Sequence, residues 1–287
     1  MNVLLSFDVE HWDLGFKYRG IKGLNNDNTR DRINMDVILS MLDSSKSKAT
    51  FFTTGHYAED YPDIINDIIT QGHEIACHGY SHEYIYNQTE AVFKEETIKA
   101  INVLSELTNE FPKCYRAASW SIVKESIWAL NILNELGFAY DSSIYPTYTH
   151  KYGMYNSPSG IYKINISKSK EIIELTPQIL NIFGIKIPVA NGVYMRLFPN
   201  VLTRLAFEFD KNLGIPGRVM LHPHELDENP PKVSVPFNFW LVRYFRINSV
   251  KGKINKILTK FNCISYKQFY SSLDSTKLPV INIDTLL

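Results

Sequence analysis

A chain of 287 residues with 45% apolar side chains can bury a large core, and fits one enzyme-sized α/β unit or two small ones. Lys plus Arg and Asp plus Glu both number 30, so no global field draws in nucleic acid or an anionic membrane, and a partner has to be recognised locally. Three cysteines, Cys77, Cys114 and Cys263, are too few and too scattered for a disulfide framework or a CxxC zinc knuckle.

The opening MNVLLSFDVEHW holds a short apolar run followed at once by charge, which fits neither a secretion signal nor a membrane anchor. A cytoplasmic, reducing location is the expectation, with no membrane-spanning segment. VLLSF (3–7) reads as a strand, Asp31 to about Lys46 as an amphipathic helix and ATFFTT (49–54) as a second strand. The βα rhythm continues through YPDIINDIIT as helix, HEIACH as strand, TEAVFKEETIKAINVLSELTNE as a long helix, CYRAAS as strand and ESIWALNILNELG as helix. Gly72 and Gly137 stand where two of these helices should stop. Repeated βα units predict a parallel sheet or barrel with its chemistry at the carboxyl ends of the strands. After residue 140 the rhythm weakens into DSSIYPTYTHKYGMYNSPSG, which reads as a long structured loop; VLTRLAFEFDKNLG then reads as helix, GRVMLH (217–222) as a buried strand and NSVKGKINKILTKF as a late helix. With no repeat and no linker, residues 1–287 are expected to form a single domain.

Four polar clusters follow strands: Asp8-Val9-Glu10, His78 to His82, Tyr115-Arg116 and His222-Pro-His224-Glu225. In a parallel α/β fold they converge on one rim. A catalytic divalent metal takes three ligands from His and Asp/Glu and keeps a position open for water; His78, His82 and one carboxylate of Asp8 or Glu10 supply that set. If the strand persists, Asp8 and Glu10 share a side, so one can bind metal while the other acts as general base, and Trp12 can wall the site. Taken alone, two histidines four apart are more often solvated or packed than metal-bound. His11, His56, His73 and His150 carry no partner pattern and read as structural or exposed. Glu225 and His224 could line the site or close the barrel rim, and Cys77 reads as a buried strand residue facing away from His78.

The ordered set SFDVEHW, HGYSH, YRAASWS, YDSSIYP and LHPHELD resembles the polysaccharide deacetylases of carbohydrate esterase family 4, most closely the branch whose first motif is DVE or DVD; GVYMRLFP (192–199) is similar to that branch as well. The resemblance implies a distorted (β/α)7 barrel and metal-dependent removal of an N-acetyl group from a sugar of a glycan or glycan precursor in surface polysaccharide biosynthesis. It implies Asp8 as general base, Glu10, His78 and His82 as ligands of a divalent ion, with Zn2+ foremost and Fe, Co or Ni as alternatives, and Arg116 as the residue that holds the base. His222 would be the general acid, Asp141 the acid that orients it, and a backbone N–H near Ser119 an oxyanion donor. Trp12, Ser119, Trp120, Tyr145 and Leu221 are the expected substrate contacts. Ala118 stands where the family has proline, and Glu10 where it has aspartate; the longer reach of Glu10 leaves the reverse assignment with Asp8 open. The same site would serve a sugar deformylase or another amide or ester hydrolase, and a glycan-binding protein without turnover is the rival of another class. The expected partner is an N-acylated sugar or glycan precursor, not nucleic acid.

Overall fold

In the computed structural model, which describes residues 1–21, 29–149, 152–167 and 170–287, β1 (Asn2–Val9) is buried from Val3 onward. That burial on both faces is why its sequence reads as a near-continuous apolar run. It pairs in parallel with β2 (Thr50–Thr53) on one side and with β10 (Gly217–Leu221) on the other. β3 (Glu74–Cys77), β4 (Cys114–Tyr115) and β5 (Tyr140–Asp141) extend the sheet, all parallel. β7 (Lys170–Leu175) follows β5, and β6 (Ile161–Ser167) pairs antiparallel with β7 on its outer edge. β11 (Asn262–Ile264) pairs with the first residues of β1, and β12 (Val280–Asn282) with β6.

Seven strands, β1 to β5, β7 and β10, are the staves of the distorted barrel. The distortion lies between β7 and β10, where side chains replace a continuous ladder: Arg218 N–H donates to Gln178 Oε1 at 3.0 Å and Arg218 Nε to the Thr176 carbonyl at 2.8 Å. The Ala190 carbonyl then accepts from Met220 N–H at 3.1 Å.

Outside the staves lie helices Thr29–Ser44, Pro62–Thr70, Glu90–Thr108 and Ala129–Glu135. Their apolar stripes meet the outward strand residues Val3, Leu5, Phe7, Phe51 and Tyr115 in the main core. Inward residues Leu4, Phe52, Ala76, Cys114 and Leu175 form a second cluster with Tyr266 inside the barrel.

The weakened rhythm after residue 140 has a structural cause. β7 is a stave that the sequence reading did not place, and β6 and the hairpin of β8 (Ile179–Ile182) and β9 (Ile185–Pro188) are antiparallel additions that it did not place as strands either. CYRAAS contributes only two strand residues because the chain leaves the sheet at Arg116. The three cysteines are free and buried.

Candidate active site

β1 ends at Val9, so Glu10 sits just past the strand and the chain turns away before Trp12. Asp8 points into the barrel, where Arg116, leaving β4, grips it with Nη1 2.5 Å from Oδ1. The guanidinium is itself fixed: it donates to Ser6 Oγ, Ser142 Oγ and the Tyr266 hydroxyl, each at 3.1 Å, and lies 3.8 Å above the Phe52 ring. Burial acts to raise the Asp8 pKa, but Arg116, His78 and His222 together hold the carboxyl below its ordinary range.

HGYSH leaves β3 in a tight turn, with Gly79 at φ 75° and His82 itself at φ 63°. A left-handed histidine is uncommon, and such backbone persists where the surroundings over-determine it. His78 Nδ1 is 2.8 Å from the Arg116 carbonyl, which can only accept, so Nδ1 carries the proton and Nε2 presents a lone pair. Burial lowers the His78 pKa to about 4, keeping the ring neutral.

One ligand atom from each of Glu10, His78 and His82 lies within 4.8 Å of the others. Glu10 Oε2 approaches His82 Nε2 at 2.7 Å without hydrogen-bond geometry, and both Glu10 Oε2 and His78 Nε2 are sealed from solvent with no hydrogen-bond partner. Buried polar atoms left this way are rare, and converging acceptors fit a divalent cation of borderline softness. Burial acts to raise the Glu10 pKa, but the facing His82, His222 and His78 together hold it at about 2. Asp8 stays outside the cluster in the grip of Arg116, with Oδ2 3.9 Å from His78 Nε2.

His222 follows β10 and faces the cluster, with Nε2 4.0 Å from Glu10 Oε1 and a quarter of its side chain exposed. The carboxylate at its Nδ1 is Glu225, at 3.6 Å, whose Oε2 also accepts the His222 backbone N–H at 3.1 Å. Buried Arg196 backs Glu225 at 3.3 Å. Burial works against the charged imidazole, yet Glu225, Glu10 and Asp8 raise its pKa to about 9.

Asp141 does not orient His222, contrary to the expectation. It is fully buried; Ser143 Oγ donates to it at 2.5 Å, and the same oxygen accepts the Ala117 N–H at 2.8 Å. Burial and the neighbouring Asp141 push the pKa of buried Glu174 well above its ordinary range. Through Ser143, Asp141 therefore fastens the segment that follows Arg116. In that segment Ser119 and Trp120 have φ of 51° and 50°.

Three expected substrate contacts are corrected as well. Trp12 is buried against Phe16, in a cluster with Phe239, because the strand ends before it. Leu221 faces the helix layer, since strand alternation turns Met220 and His222 inward. Tyr145 has no exposed surface and supports the Trp120 ring at 4.7 Å from behind. Trp120 is itself buried, packed with Tyr145 and Met220, and its Nε1 has no hydrogen-bond partner; Ser119 precedes it in the turn that follows Arg116. Sequence reasoning missed Arg196 and the role of Glu225, although both stand in quoted motifs, and had no signal for Tyr266. Cys77 faces outward as expected, in the main core. His11 is 2.8 Å from Asp60 and His73 accepts the Ala49 N–H at 3.4 Å; His150 lies outside the described residues.

Fold and site together define a parallel α/β barrel that gathers a two-histidine, one-carboxylate cluster at the carboxyl ends of its strands. Residues 24–140 match the polysaccharide deacetylase family model, and residues 142–271 a model described as a domain of unknown function, DUF3473. Residues 24–140 thus carry a match to the polysaccharide deacetylases. It is 34% identical over 100 residues to a peptidoglycan deacetylase of Helicobacter pylori (33% of this chain, 32% of that protein). Over 93 residues it is 34% identical to a peptidoglycan-N-acetylglucosamine deacetylase of Bacillus cereus (32% of this chain, 34% of that protein). The chain thus spans about a third of these relatives. A crystal structure from Mycobacterium smegmatis, assigned to the polysaccharide deacetylases, superposes with a TM-score of 0.65 at 20% identity, covering 97% of this chain and 92% of that one; at that identity the likeness speaks for the fold alone.

Proposed function

We propose that the protein is a metal-dependent hydrolase that removes the N-acetyl group from a sugar of a glycan or glycan precursor, in the branch of the family whose first motif is DVE or DVD. The observation that carries this reading is the pair of sealed, unpartnered atoms, His78 Nε2 and Glu10 Oε2, beside a carboxylate that Arg116 keeps ionised. Relatives named for deacetylating peptidoglycan support the substrate class.

Glu10, His78 and His82 would hold the divalent cation, zinc foremost, which when bound lowers the pKa of water and polarises the acyl carbonyl. Asp8 takes the proton from the attacking water; its grip by Arg116, and its place outside the ligand cluster, favour this role for Asp8 over Glu10. The water oxygen bonds to the acyl carbon, and the carbon–nitrogen bond breaks. His222, protonated at neutral pH, gives its proton to the departing nitrogen, leaving acetate and a free amino sugar. The segment after Arg116, fastened through Ser143, supplies backbone donors for the developing oxyanion.

The test is metal content and acyl release from N-acetylated and N-formylated sugar oligomers. Acetate should appear with the wild type, and Asp8→Asn should lose roughly 10²- to 10⁴-fold in kcat while keeping its metal. Formate without acetate would favour the deformylase. Metal-free protein with no turnover on any glycan would favour the binding protein.

A further inference from the structure

The surface around β8 and β9 carries apolar side chains that folding does not use. The two strands are joined by the two-residue turn Phe183–Gly184, with Ile182 paired to Ile185. Both turn residues have positive φ, 51° and 86°, the conformation in which Asn-Gly is the favoured pair. A bulky residue is out of place there, and Phe183 recovers nothing by burial, being 103% exposed. Ile185 beside it is also exposed.

This hairpin packs through Leu180, Ile182 and Ile187 on Leu202 and Ala206 of the helix Asn200–Asn212. Elsewhere on that helix Val201, Leu205 and Phe209, four residues apart and so in one row, are all exposed. Its buried Phe207 meets Phe261, the residue that follows the helix Ser249–Lys260. That second helix carries Lys251, Lys253, Lys256 and Lys260 and no acidic residue. Lys253 Nζ reaches the carbonyls of Met195 and Phe198 at 2.6 and 2.8 Å, so the flank bearing Lys253, Lys256 and Lys260 borders the segment leading into the apolar helix. A chain balanced at 30 acids and 30 bases thus carries a row of lysines beside a helix with exposed apolar side chains.

We propose that this face docks on an anionic lipid bilayer, with Phe183 and the row of Val201, Leu205 and Phe209 entering the interface and the lysine flank meeting lipid phosphates. Apolar area and anionic lipid attraction add in such binding. A second copy on the same face would bring two lysine flanks together, which like charge opposes. The inference goes beyond deacetylation and does not depend on it, since bilayer binding is read without any turnover.

Sedimentation of the full chain with vesicles tests it, using phosphatidylcholine alone and an equal mixture of phosphatidylcholine and phosphatidylglycerol. The wild type should pellet with the mixed vesicles and bind phosphatidylcholine more weakly. Phe183→Asn suits the turn better, so it should melt no lower than the wild type, yet bind mixed vesicles about tenfold more weakly. Lys256→Glu with Lys260→Glu should remove the preference for the anionic lipid. The proposal is overturned if the wild type stays in the supernatant, or if Phe183→Asn and Phe209→Glu bind as well as the wild type. It is also overturned if the free protein is a dimer that Phe209→Glu converts to monomer, since a second copy then covers this face.

Discussion

Glu225 and Asp8 are both carboxylates held by a buried arginine, but each faces a different partner. Asp8 looks toward the ligand cluster, whereas Glu225 stands between Arg196 and His222 and fixes which nitrogen of the imidazole faces Glu10. Glu225→Gln should therefore cut kcat by roughly 10²-fold with KM little changed, and Glu225→Asp should recover part of it; equal loss from Asp141→Asn and none from Glu225→Gln would return the role to Asp141. The same substitution leaves Arg196 buried without its charge partner, a cost of about 3–5 kcal/mol that a melting curve will register. Asp31 offers a separate test by pH. Burial raises its pKa from the ordinary 3.8 to about 7, while its Oδ1 accepts the Trp12 N–H at 3.0 Å. The folded state keeps this proton where the unfolded chain has lost it, so the contribution is fully present below about 4 and is lost as pH rises through about 7. Against Asp31→Asn, wild-type stability should fall across that window by at most about 1.4 kcal/mol per pH unit; parallel stability curves for the two proteins would refute the shift.

Elements with one period and clear stops were legible: β1 as an unbroken apolar run, and the helices ending at Thr70 and Glu135 near Gly72 and Gly137. The hairpin of β8 and β9 was not, because its turn is Phe-Gly, a pair that carries no turn signal. The polar clusters at strand ends were legible from residue type and position, their roles only through the family resemblance, and side-chain direction was lost wherever a strand stopped early, as at Trp12, or where alternation was not carried back from His222 to Leu221. Glu225 reaches His222 only through the short 3₁₀ turn Pro223–Leu226, a geometry that residue spacing does not announce. The two-residue strand β5 shows what such brevity serves. Asp141 ends it and, through Ser143, holds Ala117 in the segment proposed to supply the oxyanion donors. Ser143→Ala leaves a buried N–H unpaired and should cost about 1–3 kcal/mol. It should also lower kcat while metal content stays at the wild-type level; unchanged kcat at that reduced stability would mean the link is structural alone.

At the scale of the whole molecule, the candidate ligands come from β1 and the turn after β3, their supports from β4, β10, Arg196 and Tyr266, and no stretch of the chain holds them together by itself. The cluster exists only once β1 has been flanked by β2 and by β10, the latter pairing residues more than 200 positions apart, such as Val3 with Gly217. A cation that binds this assembled site and not the unfolded chain adds its binding free energy to folding. At a free concentration a hundredfold above Kd that is about 2.7 kcal/mol, which in a chain of this size amounts to a rise of roughly 4–5 °C in melting temperature. Chelator-treated wild type should lose that increment and regain it on adding zinc. His78→Ala should melt at the same temperature with and without the ion, since it lacks the lone pair that the Arg116 carbonyl directs inward. If zinc instead raises the melting temperature of His78→Ala as far as that of the wild type, the ion binds elsewhere, and the cluster of Glu10, His78 and His82 is not the metal centre.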